Sequence, residues 1–225
     1  MYFVFCILNL TSESEVNVGQ KANPISFRIG QQYTWSSKWF AKTANYANLV
    51  AEDLAIRNFL EKKLSTAGLS KIEIERLADR RLVKIHVSRP GLVIGRGGTG
   101  LEELKKGLVA KLKVASDKLE LQVIEIASPD LDATLIAKFA ADQLARRMPA
   151  RRVMNQVIER VKRAGAVGVK IALAGRIGGA SIARRDSAKS GTIPLQTLRA
   201  NIDFAKATAL TKSGTIGVKV WICKP

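Results

Sequence analysis

The sequence predicts an α+β fold built as two domains, and three observations lead to that prediction. Apolar residues recur at helical spacing in some segments and alternate strictly in others, so the chain contains both helices and strands. These elements fall into two groups that meet near Ser128-Pro129-Asp130, where a capping serine and a proline mark a helix start. A chain of 225 residues is long enough to bury a core in each group.

The first group of elements predicts a domain over residues 44–127. Apolar spacing indicates a helix over residues 45–64, which ends at Ala67-Gly68. Alternating strands follow at 72–75 and 82–87, with a short helical turn at 92–94, a helix at 101–112 and a third strand at 119–126. The predicted order is therefore helix, strand, strand, short helix, helix, strand.

Residues 95–98, here called the glycine loop, lie between the short turn and the next helix. Glycine permits positive φ and lets another backbone approach closely. Amides at the start of the following helix, together with Arg96, direct positive potential into that gap, which suits a sugar-phosphate backbone. The loop is therefore predicted to be the nucleic-acid clamp of a KH module. Its residues, with two lysines of the next helix, are Gly95, Arg96, Gly97, Gly98, Lys105 and Lys106.

Two other interpretations of the glycine loop stay open at this point. Gly95, Gly97 and Gly100 also fit the dinucleotide fingerprint Gly-x-Gly-x-x-Gly, and Glu125 lies roughly where a ribose-binding acid is expected. That fingerprint opens directly from a strand, whereas residues 89–91 intervene here. The remaining interpretation is a plain glycine-rich turn. Residues 70–126 contain no aromatic side chain, which excludes a sheet that stacks bases on exposed rings.

Charge and composition define the class of partner. Thirty-seven Lys and Arg against nineteen Asp and Glu leave a net charge of +18 and a pI near 10.3, which predicts attraction to a polyanion. No membrane is expected, because no run of about eighteen apolar residues exists. No cofactor or metal is expected either: Cys6 and Cys223 lie near opposite ends, and His86 is the single histidine. No triad pattern surrounds His86, so no catalytic residue and no enzyme activity are predicted.

The N-terminal region divides into an extension, residues 1–18, and an arm, residues 19–43. The extension is apolar and then polar, and it has no basic region or small-x-small cleavage site typical of a signal peptide. The arm interleaves basic residues with aromatic ones. Such an arm suits RNA, with rings that stack on bases and cations that neutralise phosphate, but the rings could equally fasten the arm to the domain. The basic residues are Lys21, Arg28 and Lys38, and the aromatic ones are Phe27, Trp35, Trp39 and Phe40.

The second group of elements predicts a domain over residues 128–225. Two helices, interrupted at Met148-Pro149, precede alternating strands at 167–173, 198–204 and 216–222. This order indicates two helices against a mostly antiparallel sheet. Between the first two strands, residues 175–185 form a loop rich in glycine and arginine, which includes Arg176, Arg184 and Arg185.

Residues 138–163, here called the helix junction, concentrate positive charge. Eight basic residues face only two acidic ones, Asp142 and Glu159, so salt bridges along the helix surface cannot account for the charge. An electropositive RNA-binding face is the preferred interpretation, and a solvated helix face is the alternative. The basic residues are Lys138, Arg146, Arg147, Arg151, Arg152, Arg160, Lys162 and Arg163.

An ordered set of short motifs across both domains resembles a known family. The motifs are Gly19-Gln20-Lys21, Trp39-Phe40, Arg89-Pro90-Gly91-Leu92-Val93-Ile94-Gly95, Gly175-Arg176-Ile177-Gly178-Gly179-Ala180, Ile182-Ala183-Arg184, Pro194-Leu195-Gln196-Thr197-Leu198-Arg199-Ala200 and Ile216-Gly217-Val218-Lys219-Val220-Trp221-Ile222. On these motifs, from residue 19 to the end, the chain resembles the third protein of the small ribosomal subunit in its bacterial or organellar form.

The resemblance implies a type II KH domain followed by a C-terminal ribosomal α/β domain. It further implies a structural protein of the small-subunit head, on the side where mRNA enters, in a cytoplasmic or organellar ribosome. Small-subunit rRNA, mRNA and neighbouring head proteins are the implied partners. The residues predicted to contact RNA are Lys21, Arg28, Lys38, Gly95, Arg96, Gly97, Gly98, Lys105, Lys106, Arg146, Arg147, Arg151, Arg152, Arg176, Arg184 and Arg185.

Three departures from the family pattern stand out. Val18 occupies the place of the initiator, so residues 1–17 are hypothesised to be an annotation artefact. The glycine loop carries Arg96-Gly97 where the family more often has two lysines. A basic trio that assists unwinding of mRNA in relatives is matched by Arg151 and Arg152, while Asn155 stands at its third position.

Two other functional classes stay open. One is a nicotinamide-dependent enzyme built on Gly95, Gly97 and Gly100, which tight NADH binding would support. The other is an RNA-binding regulator that acts outside the ribosome.

Overall fold

A computed structural model describes residues 21–77, 80–112 and 118–225, and it shows two four-stranded sheets, each with its own core. The predicted α+β class is confirmed, while the extension, Cys6 and residues 19–20 of the arm lie outside the described residues. In the described part of the chain, no helix is long and apolar enough to cross a membrane. The elements are α1 (Pro24–Phe27), β1 (Ser37–Lys38), α2 (Thr43–Lys63), β2 (Leu69–Leu77), β3 (Arg80–Val87), α3 (Pro90–Ile94), α4 (Thr99–Leu112), β4 (Leu119–Glu125), α5 (Ala133–Ala145), α6 (Ala150–Arg163), β5 (Gly168–Gly175), β6 (Arg184–Gly191), β7 (Ile202–Thr211) and β8 (Gly214–Cys223).

The first sheet runs in the order β1-β2-β3-β4 and packs against α2 and α4. Strands β2 and β3 are antiparallel, whereas β3 and β4 are parallel. The predicted alternation is confirmed, because Ile74 and Ile85 are fully buried against Leu60 and Leu108 of the helices. Burial of each such side chain contributes about 1.5–3 kcal/mol, so this core holds α3 and the glycine loop on a firm base.

The second sheet runs in the order β6-β5-β8-β7, and all three pairings are antiparallel. Helices α5 and α6 cover one face of it. Val157 and Val161 of α6 pack with Val169, Ile171 and Val220 of the sheet, all fully buried. The predicted arrangement of two helices on an antiparallel sheet is confirmed.

Strand β6 differs from the sequence prediction, which assigned its first residues to a loop. Its sequence, Arg-Arg-Asp-Ser-Ala-Lys-Ser-Gly, has no apolar alternation, and most of its residues are exposed. An edge strand that buries few side chains leaves no period-two signal, although its backbone pairs with β5 over its whole length. The strand expected at 198–204 also begins later, at Ile202.

The start of α5 also differs from the sequence prediction. Residues 129–131 form a single 3-10 turn, and Asp132, not Ser128, caps the helix. The Asp132 carboxylate accepts hydrogen bonds from the amides of Thr134 and Leu135 at 2.8 and 3.2 Å. Aspartate satisfies free N-terminal amides as well as serine does, so the spacing alone could not choose between the two.

The arm contacts both domains, and Arg28 lies where it meets the second domain. Arg28 is fully buried, which argues against the predicted contact with RNA. Its guanidinium donates to five backbone carbonyls, four of which belong to the segment 194–200 in the second domain, at 2.8–3.4 Å. The arm then adds β1 to the first sheet, parallel to β2. Arg28 therefore holds the arm against the second domain through these hydrogen bonds.

Two further contacts join the domains. The Ser70 hydroxyl donates to the Asp132 carboxylate, and the Lys138 ammonium donates to the carbonyl of Leu69 at 2.8 Å. Burial lowers the pKa of Lys138, and Glu61, Asp132 and Asp142 oppose that shift. Lys138 therefore links the two domains through the Leu69 carbonyl, while part of its side chain remains exposed.

Tyr33 of the arm yields a prediction for high pH. Its hydroxyl donates to the carbonyl of Ile202 at 2.9 Å; burial, reinforced by Asp203 and opposed by Arg28, raises the pKa of Tyr33 to about 12. The folded state binds this proton more tightly than the unfolded state, whose tyrosine pKa is about 10. Stability from this group is complete below pH 10 and is lost as the pH rises towards 12.

Ultraviolet titration of phenolate formation measures this shift. One of the three tyrosines should ionise late, and the Tyr33→Phe variant should lack that late step. Ionisation of all tyrosines together near pH 10 in the folded protein would contradict the prediction.

Candidate nucleic-acid interface

The glycine loop projects from the first domain with its centre open to solvent. Helix α3 ends at Gly95, residues 96–98 make a 3-10 turn, and α4 begins at Thr99. Val93, which is 1% exposed, anchors the loop in the core, while Arg96 and Gly97 are exposed. The α4 amides and the Arg96 side chain thus border the same open turn, as a phosphate-binding loop requires.

The glycines of this loop have two separate roles. A Cβ on Gly95 would lie 3.0 Å from the Gly100 nitrogen, and one on Gly100 would lie 2.7 Å from the Val93 carbonyl oxygen. These two glycines therefore allow the α3–α4 turn to close. Gly97 and Gly98 have φ of +64° and +85°, with nothing within 4 Å of the Cβ position. They leave backbone exposed where a ligand backbone can approach.

This division predicts different outcomes for two loop variants. Arg96→Asp combined with Gly97→Asp should preserve the fold, because the space is open and aspartate tolerates left-handed backbone better than most residues. It should weaken binding of single-stranded RNA by at least about tenfold, because two negative charges replace one positive one. Filter binding at moderate salt measures the affinity.

The Gly95→Ala variant is the structural comparison. Its Cβ meets backbone at a positive φ of +71°, so the free energy of unfolding should fall by about 1–3 kcal/mol. Unchanged RNA affinity in the double Asp variant would exclude the loop as a clamp.

Lys105 and Lys106 occupy the helix that follows the loop. Lys106 is exposed, whereas Lys105 is half-buried at the border of the α4 face that carries Leu104 and Leu108. Next to the loop, the apolar side chains of Leu92 and Ile94 are 61% and 41% exposed. The loop therefore offers positive charge beside an open apolar step.

At the helix junction, four arginines are exposed between α5 and α6. Arg146, Arg147, Arg151 and Arg152 make no ion pair within the described ranges. Other basic residues of the junction are engaged: Arg160 pairs with Asp130 at 2.6 Å, and Arg163 pairs with Glu159 at 3.4 Å. The structure thus brings the four predicted arginines to one turn and leaves their charge uncompensated.

Arg147 holds this turn in an unfavourable conformation. Its φ is +63°, and it is the one non-glycine residue with positive φ in the described segments. Its amide donates to Leu144 at 2.9 Å and the next amide, of Met148, donates to Gln143 at 3.1 Å, a Schellman ending at a position that usually carries glycine. An arginine at this position costs stability relative to glycine and places a cation at the junction.

The Arg147→Gly variant tests whether Arg147 lowers folding stability while it contributes to RNA affinity. Relief of left-handed strain, about 1–2 kcal/mol, exceeds the entropy cost of glycine, about 0.5–1 kcal/mol, so stability should rise by about 0.5–1 kcal/mol. RNA affinity should fall in the same variant. Urea denaturation and filter binding measure the two effects, and a loss of stability would show that the Arg147 side chain makes stabilising contacts that outweigh the strain.

A cleft of about 670 Å³ opens beside the arginines. Arg151, Arg152 and Asn155 line it together, which places the polar asparagine one helical turn beyond the two cations. Glu159 also borders the cleft. The cleft therefore has cations at the start of α6 and no further cation where Asn155 and Glu159 line it.

The remaining predicted residues are placed differently. Arg176 donates to the carbonyls of Ala180 and Ser213 at 2.7 and 3.0 Å, so its guanidinium shapes the 176–180 loop. Arg184 and Arg185 are exposed at the start of β6.

Lys21 is exposed on the arm, whereas the Lys38 ammonium lies 3.1 Å from the Glu75 carboxylate. Hydrogen bonds from Lys84 and Lys38 lower the pKa of Glu75. The structure therefore does not favour Lys38 as a phosphate contact.

The arm aromatics also separate into two groups. The Trp39 indole donates to the buried carboxylate of Asp53 at 2.8 Å, and its ring lies against Tyr46 and Arg76. The Trp39 ring therefore holds the arm against α2 and β2. Phe40 is 94% exposed and Trp35 is 65% exposed, so these rings remain available for stacking.

Sequence reasoning missed four lysines on the second sheet. Lys170 and Lys219 alternate with buried residues of β5 and β8, so for these two the signal was present in the spacing, whereas Lys189 and Lys206 follow no such alternation. Their common orientation depends on strand register, which the spacing does not give. They are Lys170, Lys189, Lys206 and Lys219.

Comparison with known proteins now adds to this geometry. A family described as KH domain matches residues 55–131, and one described as Ribosomal protein S3, C-terminal domain, matches residues 140–222. Small ribosomal subunit protein uS3 of Desulforamulus reducens is 47% identical over 207 residues, covering 92% of both chains. The uS3 of Clostridium acetobutylicum is 48% identical over 205 residues, covering 91% of both, and that of Synechococcus sp. is 46% identical, covering 91% of this chain and 84% of the relative.

These matches decide between the interpretations of the glycine loop. The KH match spans the loop, α3 stands between β3 and the glycines, and the relatives are ribosomal proteins and not dehydrogenases. The nicotinamide-enzyme alternative is therefore set aside, and the chain is not assigned to an enzyme class. A KH domain, a matching C-terminal domain and identity above 45% over nine-tenths of the chain show that this protein belongs to the uS3 family.

Proposed function

We propose that this chain is a structural constituent of the small ribosomal subunit that binds rRNA in the head and lines the channel through which mRNA enters. Its partners would be rRNA, mRNA and neighbouring head proteins, in a cytoplasmic or organellar ribosome. The observation that carries the RNA-binding part is the cluster of exposed arginines at the helix junction, whose charge no described carboxylate compensates. Family membership carries the ribosomal part.

Binding follows from phosphate neutralisation. Arg146, Arg147, Arg151 and Arg152 hold backbone without reading bases, since every message must pass the channel. The exposed glycine loop adds a second backbone contact. With about six neutralised phosphates, the logarithm of the affinity should fall with the logarithm of salt at a slope of about −4 to −5.

The helix junction would also assist unwinding of structured mRNA. Arg151 and Arg152 border the cleft, but Asn155 supplies no charge at the third position. Preference for single strand over duplex would then come from two cations, with translocation providing the work. An Asn155→Lys variant that increases unwinding-dependent translation of structured messages would show that the third cation is limiting.

Co-sedimentation tests the ribosomal assignment. A tagged full chain should remain with small subunits through a high-salt wash, because embedded protein contacts resist salt that removes loosely bound cations. An RNA-binding regulator outside the ribosome would be released by that wash. Release of the whole population would overturn the proposal.

A further inference from the structure

The second sheet has one face covered by α5 and α6 and an opposite, outer face that carries unexplained charge. Register sets the orientation: Val169, Ile171 and Leu173 point to the helices, so Lys170, Ala172 and Ala174 point outward. Residues directly opposite on antiparallel strands share a face. The outward cations are Lys170, Arg185, Lys189, Lys206 and Lys219.

Two pairs of these lysines lie directly across from each other. Lys170 is opposite Lys189, and Lys206 is opposite Lys219. Like charges at this position destabilise a sheet. The outward positions of β5, β6, β7 and β8, all within the described residues, include no Asp or Glu. Burial, together with Lys21 and Lys189, lowers the pKa of Lys170, which is consistent with crowded positive charge.

The floor between the lysines is open and made of small side chains. Such a floor lets a partner backbone lie close to the sheet. The two aromatic residues of this face are not available for stacking, because Trp221 and Phe204 are each only 9% exposed, and the ammonium groups of Lys170 and Lys206 lie 5.5 and 5.8 Å from their ring centroids. The floor residues are Ala172, Ala174, Ser187, Thr208 and Gly217.

We propose that this outer face, the lysine platform (Lys170, Arg185, Lys189, Lys206 and Lys219), binds the phosphate backbone of folded, double-stranded RNA. Four strands span about 15 Å, which spreads the cations over a flat area and not along one groove. Without an exposed ring, the platform has no means to hold unstacked bases, so it recognises backbone and shape. It is separate from the helix junction, which lies between α5 and α6 on the other side of the sheet. The inference rests on the proposed function, since both require an RNA partner.

The test uses the full chain with four substitutions, Lys170→Gln, Lys189→Gln, Lys206→Gln and Lys219→Gln, and two RNA probes, a hairpin of arbitrary sequence and single-stranded polyuridylate. The salt slope for the hairpin should decrease in magnitude by about 3, from four cations at about 0.7–0.9 each. Polyuridylate binding should change much less. Unfolding stability should stay the same or rise, because like charges are removed.

A matched control carries four Gln substitutions at exposed lysines away from this face: Lys42, Lys62, Lys63 and Lys111. Equal loss of hairpin binding in the control would show a general charge effect and overturn the platform. An unchanged slope in the platform variant would do the same. Replacement of the four lysines by arginine should restore hairpin binding.

Lysine footprinting separates RNA from an acidic protein partner. Acetylation of the platform lysines should be suppressed by the hairpin alone; suppression in intact small subunits but not by the hairpin would assign the face to a protein. If the unmodified chain bound neither RNA probe, the proposed function itself would fail, an outcome distinct from failure of the platform.

Discussion

The Arg28→Ala variant is expected to lose about 3–5 kcal/mol of unfolding free energy. The substitution removes a buried guanidinium and leaves the carbonyls of Pro24, Pro194, Leu195, Thr197 and Ala200 without their shared donor. Hydrogen bonds to charged groups contribute about 1.5–3 kcal/mol each, and loss of one partner leaves the others desolvated and unpaired. Urea denaturation of the full chain measures the loss.

Two comparisons isolate the cause. Arg28→Lys keeps the charge but cannot reach five acceptors with three donors, so it should fall between the wild type and alanine variants. Arg199→Ala, at an exposed neighbour on the same segment, should change stability by less than about 0.5 kcal/mol. A loss below about 1 kcal/mol in Arg28→Ala would show that the hydrogen bonds of Arg28 do not determine how stably the arm is bound.

Substitution of alanine for Arg146, Arg147, Arg151 and Arg152 together is expected to weaken RNA binding by about 10³-fold at 0.1 M salt. Four phosphate contacts account for a slope of about 3, and that slope acts over one decade between 0.1 M and 1 M salt. All sequences should lose affinity equally, because backbone contacts carry no base information. Filter binding over a salt series measures both the affinity and the slope.

An Arg→Lys version of the same four positions is the control for charge. It should keep most of the salt slope while losing the paired hydrogen bonds that a guanidinium makes to phosphate. The alanine variant should remain folded, since the four side chains are exposed and make no described ion pair. An unchanged slope in the alanine variant would remove the helix junction from the RNA interface.

Much of the fold follows from local spacing. The alternation of Ile72, Ile74, Val83 and Ile85 predicts strands with one buried face, and all four are buried. The leucines of α4 likewise predict a helix with one buried side, and glycines at 95, 97 and 98 predict backbone with positive φ, which they adopt. Apolar periods and glycine conformations are properties of a few neighbouring residues, so a sequence shows them directly.

Whether a cation is buried or exposed depends on contacts between segments that are distant in the sequence. Arg28 and Lys21 both belong to a basic arm by sequence, yet one is fully buried against carbonyls more than 160 positions away and the other is exposed. Strand β6 has no periodic signal because an edge strand buries little, and the lysine platform exists only once register aligns four strands.

The sequence by itself determined the α+β class, the order of most elements, the glycine loop and the excess of positive charge. Tertiary structure alone decided which cations face solvent, which pair with carboxylates and which fasten the chain. The reason is physical: spacing records the face of an element that is apolar, whereas the environment of a long charged side chain is set by whatever the fold brings beside it.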